Sequence, residues 1–143
     1  MPPTETFRIP KHRRHVPTAR RHLLKALADW GIAGELAQDV ALLANELVTN
    51  AVTHCRVSCA EVRVTLVLHG PALVLEVSDP DRDSLPAPHD PSPDEEGGRG
   101  LALVAALADS WGCRREPHAK CVWARFALPT TQRPGGTHVP SPS

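Results

Sequence analysis

Hydrophobic positions in the first third of the chain recur every three or four residues, which is the period of a helix with one buried face. The pattern predicts a helix over 17–30, with Pro17 in its first turn and Gly31 just beyond its end. It predicts a second helix over 35–54, whose apolar stripe consists of Leu36, Val40, Leu43, Leu47 and Ala51. Further apolar residues flank this stripe, so we expect the second helix to be largely buried.

The later residues alternate between apolar and polar, which is the period of a strand with one buried face. The predicted strands are 7–9, 62–68, 73–77, 110–115 and 120–128, and a further helix is predicted over 101–109. Strands joined by hairpins and combined with helices indicate an α+β fold. We expect a two-layer α/β sandwich in which a mixed, mostly antiparallel sheet is covered on one face by helices.

Composition limits the classes of protein to consider. The 143 residues are 41% hydrophobic and 22% charged, which is enough apolar material for one core. Sixteen Lys and Arg balance sixteen Asp and Glu, which argues against a dedicated nucleic-acid binder. No apolar run approaches the roughly 20 residues of a membrane helix, and the N-terminus does not resemble a secretory signal. We therefore expect a cytoplasmic protein with one domain over 5–129 and a disordered tail over 130–143.

The charges are unevenly placed along the chain. Residues 8–25 contain seven basic residues and no acidic one, and residues 79–96 contain seven acidic residues, five prolines and one arginine. The acidic stretch can neither bury apolar area nor complete backbone ladders, so 80–97 is predicted to form a mobile, acidic, proline-rich lid or binding loop. The basic stretch leaves nucleic-acid binding as a minor hypothesis, beside that of a docking surface for an acidic partner.

Three places carry groups suited to a ligand. Glu46 and Asn50 lie one turn apart on the same side of the second helix, and their oxygens would suit Mg²⁺ or a phosphate site. The segment Gly97-Gly98-Arg99-Gly100-Leu101 opens a predicted helix, where glycines and unpaired N–H groups favour an anion. Asp79 ends a strand, where it could accept a hydrogen bond from the amine of a base. Taken singly, each has an ordinary explanation: a solvated polar edge, a flexible hinge and a turn.

In this order the three places resemble the GHKL ATP-binding fold of gyrase, heat-shock chaperones, histidine kinases and mismatch-repair ATPases. More closely, Glu46-Leu47-Val48-Thr49-Asn50-Ala51-Val52-Thr53-His54 and Gly98-Arg99-Gly100-Leu101 resemble the small anti-sigma-factor serine/threonine kinases of bacteria. The resemblance spans about residues 5–129. It implies an ATP- and Mg²⁺-dependent protein kinase that acts on a partner protein, either a sigma factor or an antagonist of the anti-sigma factor. A homodimer is the family expectation.

The resemblance also implies roles for the matching residues. Asn50 would ligate Mg²⁺, Glu46 would act as general base, and Asp79 would bind the adenine amine. The residues that would contact phosphates beneath the lid are His54, Gly98, Arg99, Gly100 and Leu101.

The chain departs from the family pattern in two positions. Where the family has Asp-x-Gly-x-Gly, this chain has Asp79-Pro80-Asp81-Arg82-Asp83, whose additional acids would repel a triphosphate if they faced it. Where the family tends to have a hydroxyl residue on the last strand pair near adenine, this chain is expected to have Cys121. The alternative function is therefore a regulatory protein-binding module of the same fold with weak or no nucleotide binding.

A zinc site is a further minor hypothesis. His54, Cys55 and Cys59 could supply soft ligands, joined by Cys113 or Cys121.

Overall fold

A computed structural model of the chain describes residues 3–58, 60–81 and 106–129. The elements are β1 (Thr4–Pro10), α1 (Val16–Asp29), α2 (Gly34–His54), β2 (Glu61–His69), β3 (Ala72–Asp79), β4 (Ser110–Glu116) and β5 (Ala119–Ala127). Within the predicted helix 101–109, residues 106–107 are helical and 108–109 are not, while 101–105 lie outside the described residues. The predicted tail 130–143 and residues 82–97 of the predicted lid also lie outside them.

Local sequence signals explain where the helices and hairpins end. Pro17 lies in the first turn of α1, where its missing N–H leaves no helical hydrogen bond unmade. Gly31 follows α1 with a φ of 75°, and Gly70 turns the chain between β2 and β3 with a φ of 60°. Both φ values lie in the left-handed region, which a glycine adopts without the steric cost of a Cβ atom.

The five strands form one sheet in the order β1-β2-β3-β5-β4. Each neighbouring pair of these strands is antiparallel, so the predicted α+β class is confirmed, and the described residues contain no parallel pairing. In the register of β3 with β5, Val77 lies opposite Val122 and Asp79 lies opposite Lys120. The register therefore brings a carboxylate and an ammonium group together at the edge of the sheet where β3 ends and β5 begins.

The core lies between one face of the sheet and the two helices. Alternate residues of β2 and β3 point into it, and so do the apolar stripes of α1 and α2. Its fully buried leucines and valines include Leu23, Leu27, Leu43, Leu66, Leu75, Val40 and Val62. Burying each such side chain contributes about 1.5–3 kcal/mol, which makes this layer the main source of stability. Neither described helix has the length and hydropathy that crossing a membrane requires.

The opposite face of the sheet carries polar and charged residues. Arg63 lies 3.9 Å from Glu116, and Arg114 lies 3.6 Å from Glu76. The indole of Trp123 covers Gly112 so closely that a Cβ atom there would lie 2.7 Å from the ring. This face is thus ordered by ion pairs and by one aromatic contact across strands.

Candidate functional site

A small pocket of about 40 Å³ lies where α2 meets the strands β3 and β5. It is lined by Leu47, Asn50, Ala51, Val77, Asp79, Lys120 and Val122. Helical spacing brings the three α2 residues to one face, while strand alternation and register bring the other four together. Pockets for drug-sized ligands measure about 300–1,000 Å³, so these residues would form only part of a site for such a molecule.

Asp79 is the buried carboxylate of this pocket and is only 4% exposed. One carboxylate oxygen, Oδ1, accepts the backbone N–H of Asp81 at 2.8 Å, and the other, Oδ2, lies 3.8 Å from Nζ of Lys120. The Cys55 thiol acts to lower the pKa of this carboxylate slightly. Burial raises the pKa of Asp79, and the Lys120 charge and the Asp81 N–H act against that rise. The sequence analysis proposed Asp79 as a ligand group, and the structure places it in the pocket.

Lys120 is a pocket residue that the sequence analysis missed. It is 7% exposed, and lysines are almost never this deeply buried unless their charge is paired. A signal for it exists in the sequence. Lys120 precedes Val122 by two residues, so the alternation of β5 places a charged side chain at an inward position. Cys121, which was expected near the base, instead lies opposite Ser78, and its thiol bonds to that residue on the other face of the sheet.

The acid that replaces the first family glycine does not carry an uncompensated charge. Both oxygens of the buried Asp81 carboxylate are bound by Arg56, Oδ2 by Nε at 2.9 Å and Oδ1 by a terminal nitrogen at 3.0 Å. The backbone N–H of Arg56 donates to Oδ2 at 2.9 Å as well. These bonds hold the pKa of Asp81 well below its usual range. The sequence predicts that this acid would repel a triphosphate if it faced one, and in the structure the Asp81 charge is paired with Arg56. Asp83 lies outside the described residues.

The other predicted site residues have different positions. Glu46 and Asn50 are half-buried and one turn apart on α2, and neither side chain bonds to another described residue. Asn50 lines the pocket, whereas Glu46 does not. His54 is exposed at the end of α2 and does not line the pocket. The segment Gly98-Arg99-Gly100-Leu101 lies outside the described residues. The structure thus brings Asn50 and Asp79 together in one pocket, and the roles of all these residues stay predictions.

The described cysteines do not form a metal centre. Cys55 and Cys121 are buried and Cys113 is exposed, and all three are free thiols whose pKa is raised by burial. Across 3–58, 60–81 and 106–129, no three His, Cys, Asp or Glu side chains are grouped as metal ligands would be. Cys59, which completes the proposed zinc set, lies outside these ranges.

Comparison with known proteins identifies the family. A solved structure that contains the RsbU and RsbW domains of Rv1364c from Mycobacterium tuberculosis matches this fold with a TM-score of 0.68 at 19% sequence identity. The match covers 88% of this chain and 32% of the other, so this chain spans about a third of that protein's length. No curated protein matches the sequence. Residues 9–126 match the model of the histidine kinase-like ATPase domain, which confirms the resemblance to the GHKL fold. The chain therefore belongs to the histidine kinase-like ATPase domain family.

Proposed function

We propose that this chain is an ATP- and Mg²⁺-dependent kinase that phosphorylates a serine or threonine of a partner protein. One observation carries the proposal. Asn50 and Asp79, the residues assigned to the two ends of a nucleotide, line the same pocket, and Glu46 lies one helical turn from Asn50. Membership of an ATPase domain family supports the choice of ATP.

The pocket residues suit one edge of an adenine base. The Asp79 carboxylate can accept a hydrogen bond from the exocyclic amine. Val77 and Val122, the next inward pair along the two strands, supply apolar surface beside it. A carboxylate buried among apolar side chains is a strong acceptor because little water competes for it.

Glu46 and Asn50 suit the phosphate end of the nucleotide. Both carry hard oxygen atoms, both are half-buried, and neither is bound to another described residue, so their oxygens fit Mg²⁺. Asn50 would hold the ion, which when bound neutralises charge on the phosphate oxygens. The segment Gly98-Arg99-Gly100-Leu101 would donate backbone N–H groups to the phosphates.

The reaction is an in-line phosphoryl transfer. The hydroxyl oxygen of the partner's serine or threonine bonds to the γ-phosphorus of ATP, and the bond from that phosphorus to the bridging oxygen breaks. ADP leaves with the electron pair, and the hydroxyl proton passes to the Glu46 carboxylate as general base. Because Glu46 is only half-buried, a partner's hydroxyl group could reach it.

The proposed partner is a sigma factor or an antagonist of the anti-sigma factor, as the sequence resemblance implies, and a homodimer is proposed on the same ground. The solved structure that shares this fold is named for its RsbU and RsbW domains, and its likeness supports only the fold.

One observation favours a second candidate, a regulatory protein-binding module with weak or no nucleotide binding. Asp79 already lies beside Lys120, so the charged groups of the pocket are balanced without a ligand. Adenine would then have to compete with an existing ion pair for the same carboxylate.

Calorimetric titration with ATP, with and without Mg²⁺, separates the two candidates. The kinase proposal expects Mg²⁺-dependent binding that Asn50→Ala abolishes and that Asn45→Ala, a change on another face of the same helix, leaves intact. Absence of binding at millimolar ATP would favour the protein-binding module.

Transfer of labelled phosphate to a candidate antagonist then tests the chemistry. We expect Glu46→Gln to retain ATP binding and to lose transfer, since an amide cannot accept the proton as a carboxylate does. Transfer that survives this substitution at the wild-type rate would contradict the role of Glu46.

A further inference from the structure

We propose that Lys120 is a residue that determines base specificity and that it recognises adenine together with Asp79. The inference rests on the proposed binding of a nucleotide and extends it to a residue outside the family motifs discussed above. In this arrangement, Asp79 accepts a hydrogen bond from the N6 amine and Lys120 donates one to N1 of the same base.

The position of Lys120 is the first argument. The Lys120 side chain is only 9% exposed, and the residue lines the same pocket as Asp79 and Asn50. Burying a lysine costs free energy unless its charge meets a partner, so this position is a demanding one for the side chain. Among the described residues that line the pocket, Lys120 is the one cation.

The distance between the two charged groups is the second argument. Nζ of Lys120 and Oδ2 of Asp79 are 3.8 Å apart, which is longer than the 2.7–3.2 Å of a typical N–H···O hydrogen bond. The pair is thus held by charge rather than by a short bond. At this spacing, the carboxylate and the ammonium group can bind neighbouring polar groups on one edge of a base, one group each.

The pattern of donors and acceptors is the third argument. Oδ1 of Asp79 already accepts the N–H of Asp81, which leaves Oδ2 as the acceptor beside the lysine, apart from the weak donor of the Cys55 thiol. The pocket therefore presents one strong acceptor next to one strong donor. Adenine presents the complement, an N6 donor beside the N1 acceptor. Guanine presents two adjacent donors, which would need both carboxylate oxygens as acceptors. Because Oδ1 already accepts the Asp81 N–H and the neighbouring Lys120 is a donor, the arrangement favours adenine.

The Arg56–Asp81 ion pair keeps this pattern in place. Three hydrogen bonds fix the Asp81 side chain, and the backbone N–H of the same residue fixes Oδ1 of Asp79. Because the Asp81 N–H holds Oδ1 of Asp79, Oδ2 is the oxygen that lies near Lys120.

The experiment compares ATP with 1-deaza-ATP, in which a C–H group replaces N1, by calorimetry on the full chain. A charged hydrogen bond lost from a buried site should weaken binding about 10- to 100-fold, so wild type should prefer ATP by that factor. Lys120→Met should bind the two nucleotides equally. The matched control Lys25→Met, a change at an exposed lysine of α1, should keep the wild-type preference.

Each outcome decides one question. Equal binding of the two nucleotides by wild type would overturn the inference, as would a preference that survives in Lys120→Met, because Lys120 would then only neutralise Asp79. If wild type binds neither nucleotide, the proposed function fails before the role of Lys120 is reached.

A second measurement covers the case in which Lys120→Met does not fold. The chain has only the lysines Lys11, Lys25 and Lys120, so their ¹⁵N ammonium signals can be assigned with Lys11→Arg and Lys25→Arg. The Lys120 signal should shift more with saturating ATP than with saturating 1-deaza-ATP, because only ATP offers the ammonium group the N1 acceptor. The same shift with both nucleotides would overturn the inference.

Discussion

Loss of the Lys120 charge should destabilise the protein strongly, because the buried Asp79 carboxylate then lacks this opposite charge. At the observed separation of 3.8 Å, the attraction between Lys120 and Asp79 amounts to about 4 kcal/mol at an effective dielectric constant of about 20. Removing one member of a buried pair typically costs about 3–5 kcal/mol, since the other member stays desolvated. We expect a loss of this size in the free energy of unfolding of Lys120→Met at pH 7.

Removing both charges should restore part of that stability. Asp79→Asn keeps an acceptor for the Asp81 N–H, so Asp79→Asn/Lys120→Met loses both charges of the pair and retains this hydrogen bond. Because the double variant leaves no unpaired buried charge, it should lose less free energy of unfolding than Lys120→Met alone. Urea unfolding, followed by the fluorescence of the three tryptophans, gives the free energy of unfolding of wild type, Asp79→Asn, Lys120→Met and the double variant. Losses that simply add in the double variant would refute the coupling.

The loss in the free energy of unfolding of Lys120→Met should also depend on pH. Burial raises the pKa of Asp79 in the folded state, so the folded protein binds a proton there more readily than the unfolded chain does. Such a group lowers stability as pH rises through the window between its unfolded pKa, about 3.9, and its folded pKa. Without Lys120 the folded pKa rises further and the window widens upward. The difference between Lys120→Met and wild type should therefore shrink as pH falls from 7 towards the unfolded pKa, and a constant difference would contradict this assignment.

Three more perturbations test other parts of the structure. Arg56→Gln removes the contact that lowers the pKa of Asp81. The stabilisation that this contact gives above pH about 3.9, and that is lost as pH falls below it, should therefore disappear. The melting temperature should then fall less steeply from pH 5 to pH 3 than it does in wild type. Gly112→Ala should cost about 1–3 kcal/mol and shift the tryptophan emission, because the new Cβ would overlap the indole of Trp123; unchanged emission would argue against this contact. Leu43→Ala should cost about 2–5 kcal/mol in urea unfolding, since the side chain is fully buried.

The sequence by itself determined the elements. Helices predicted over 17–30 and 35–54 are found at Val16–Asp29 and Gly34–His54, because hydrophobic periodicity and end signals act over a few residues. The predicted edge strand 7–9 was too short, since β1 (Thr4–Pro10) is held mainly by its backbone pairing with β2 and most of its side chains are exposed. Motif order predicted Asn50 and Asp79 as ligand groups, and both line the pocket.

Only the tertiary structure decided which charges meet. The charge of Asp81 is paired with Arg56, which lies 25 residues earlier in the chain. Lys120 was not identified, although it lies opposite Asp79 in the sheet. Such pairings depend on strand register and on where α2 ends against the sheet. The period of a local pattern carries no information about which distant strand supplies the partner, so the charge balance of the pocket is set by the assembled fold.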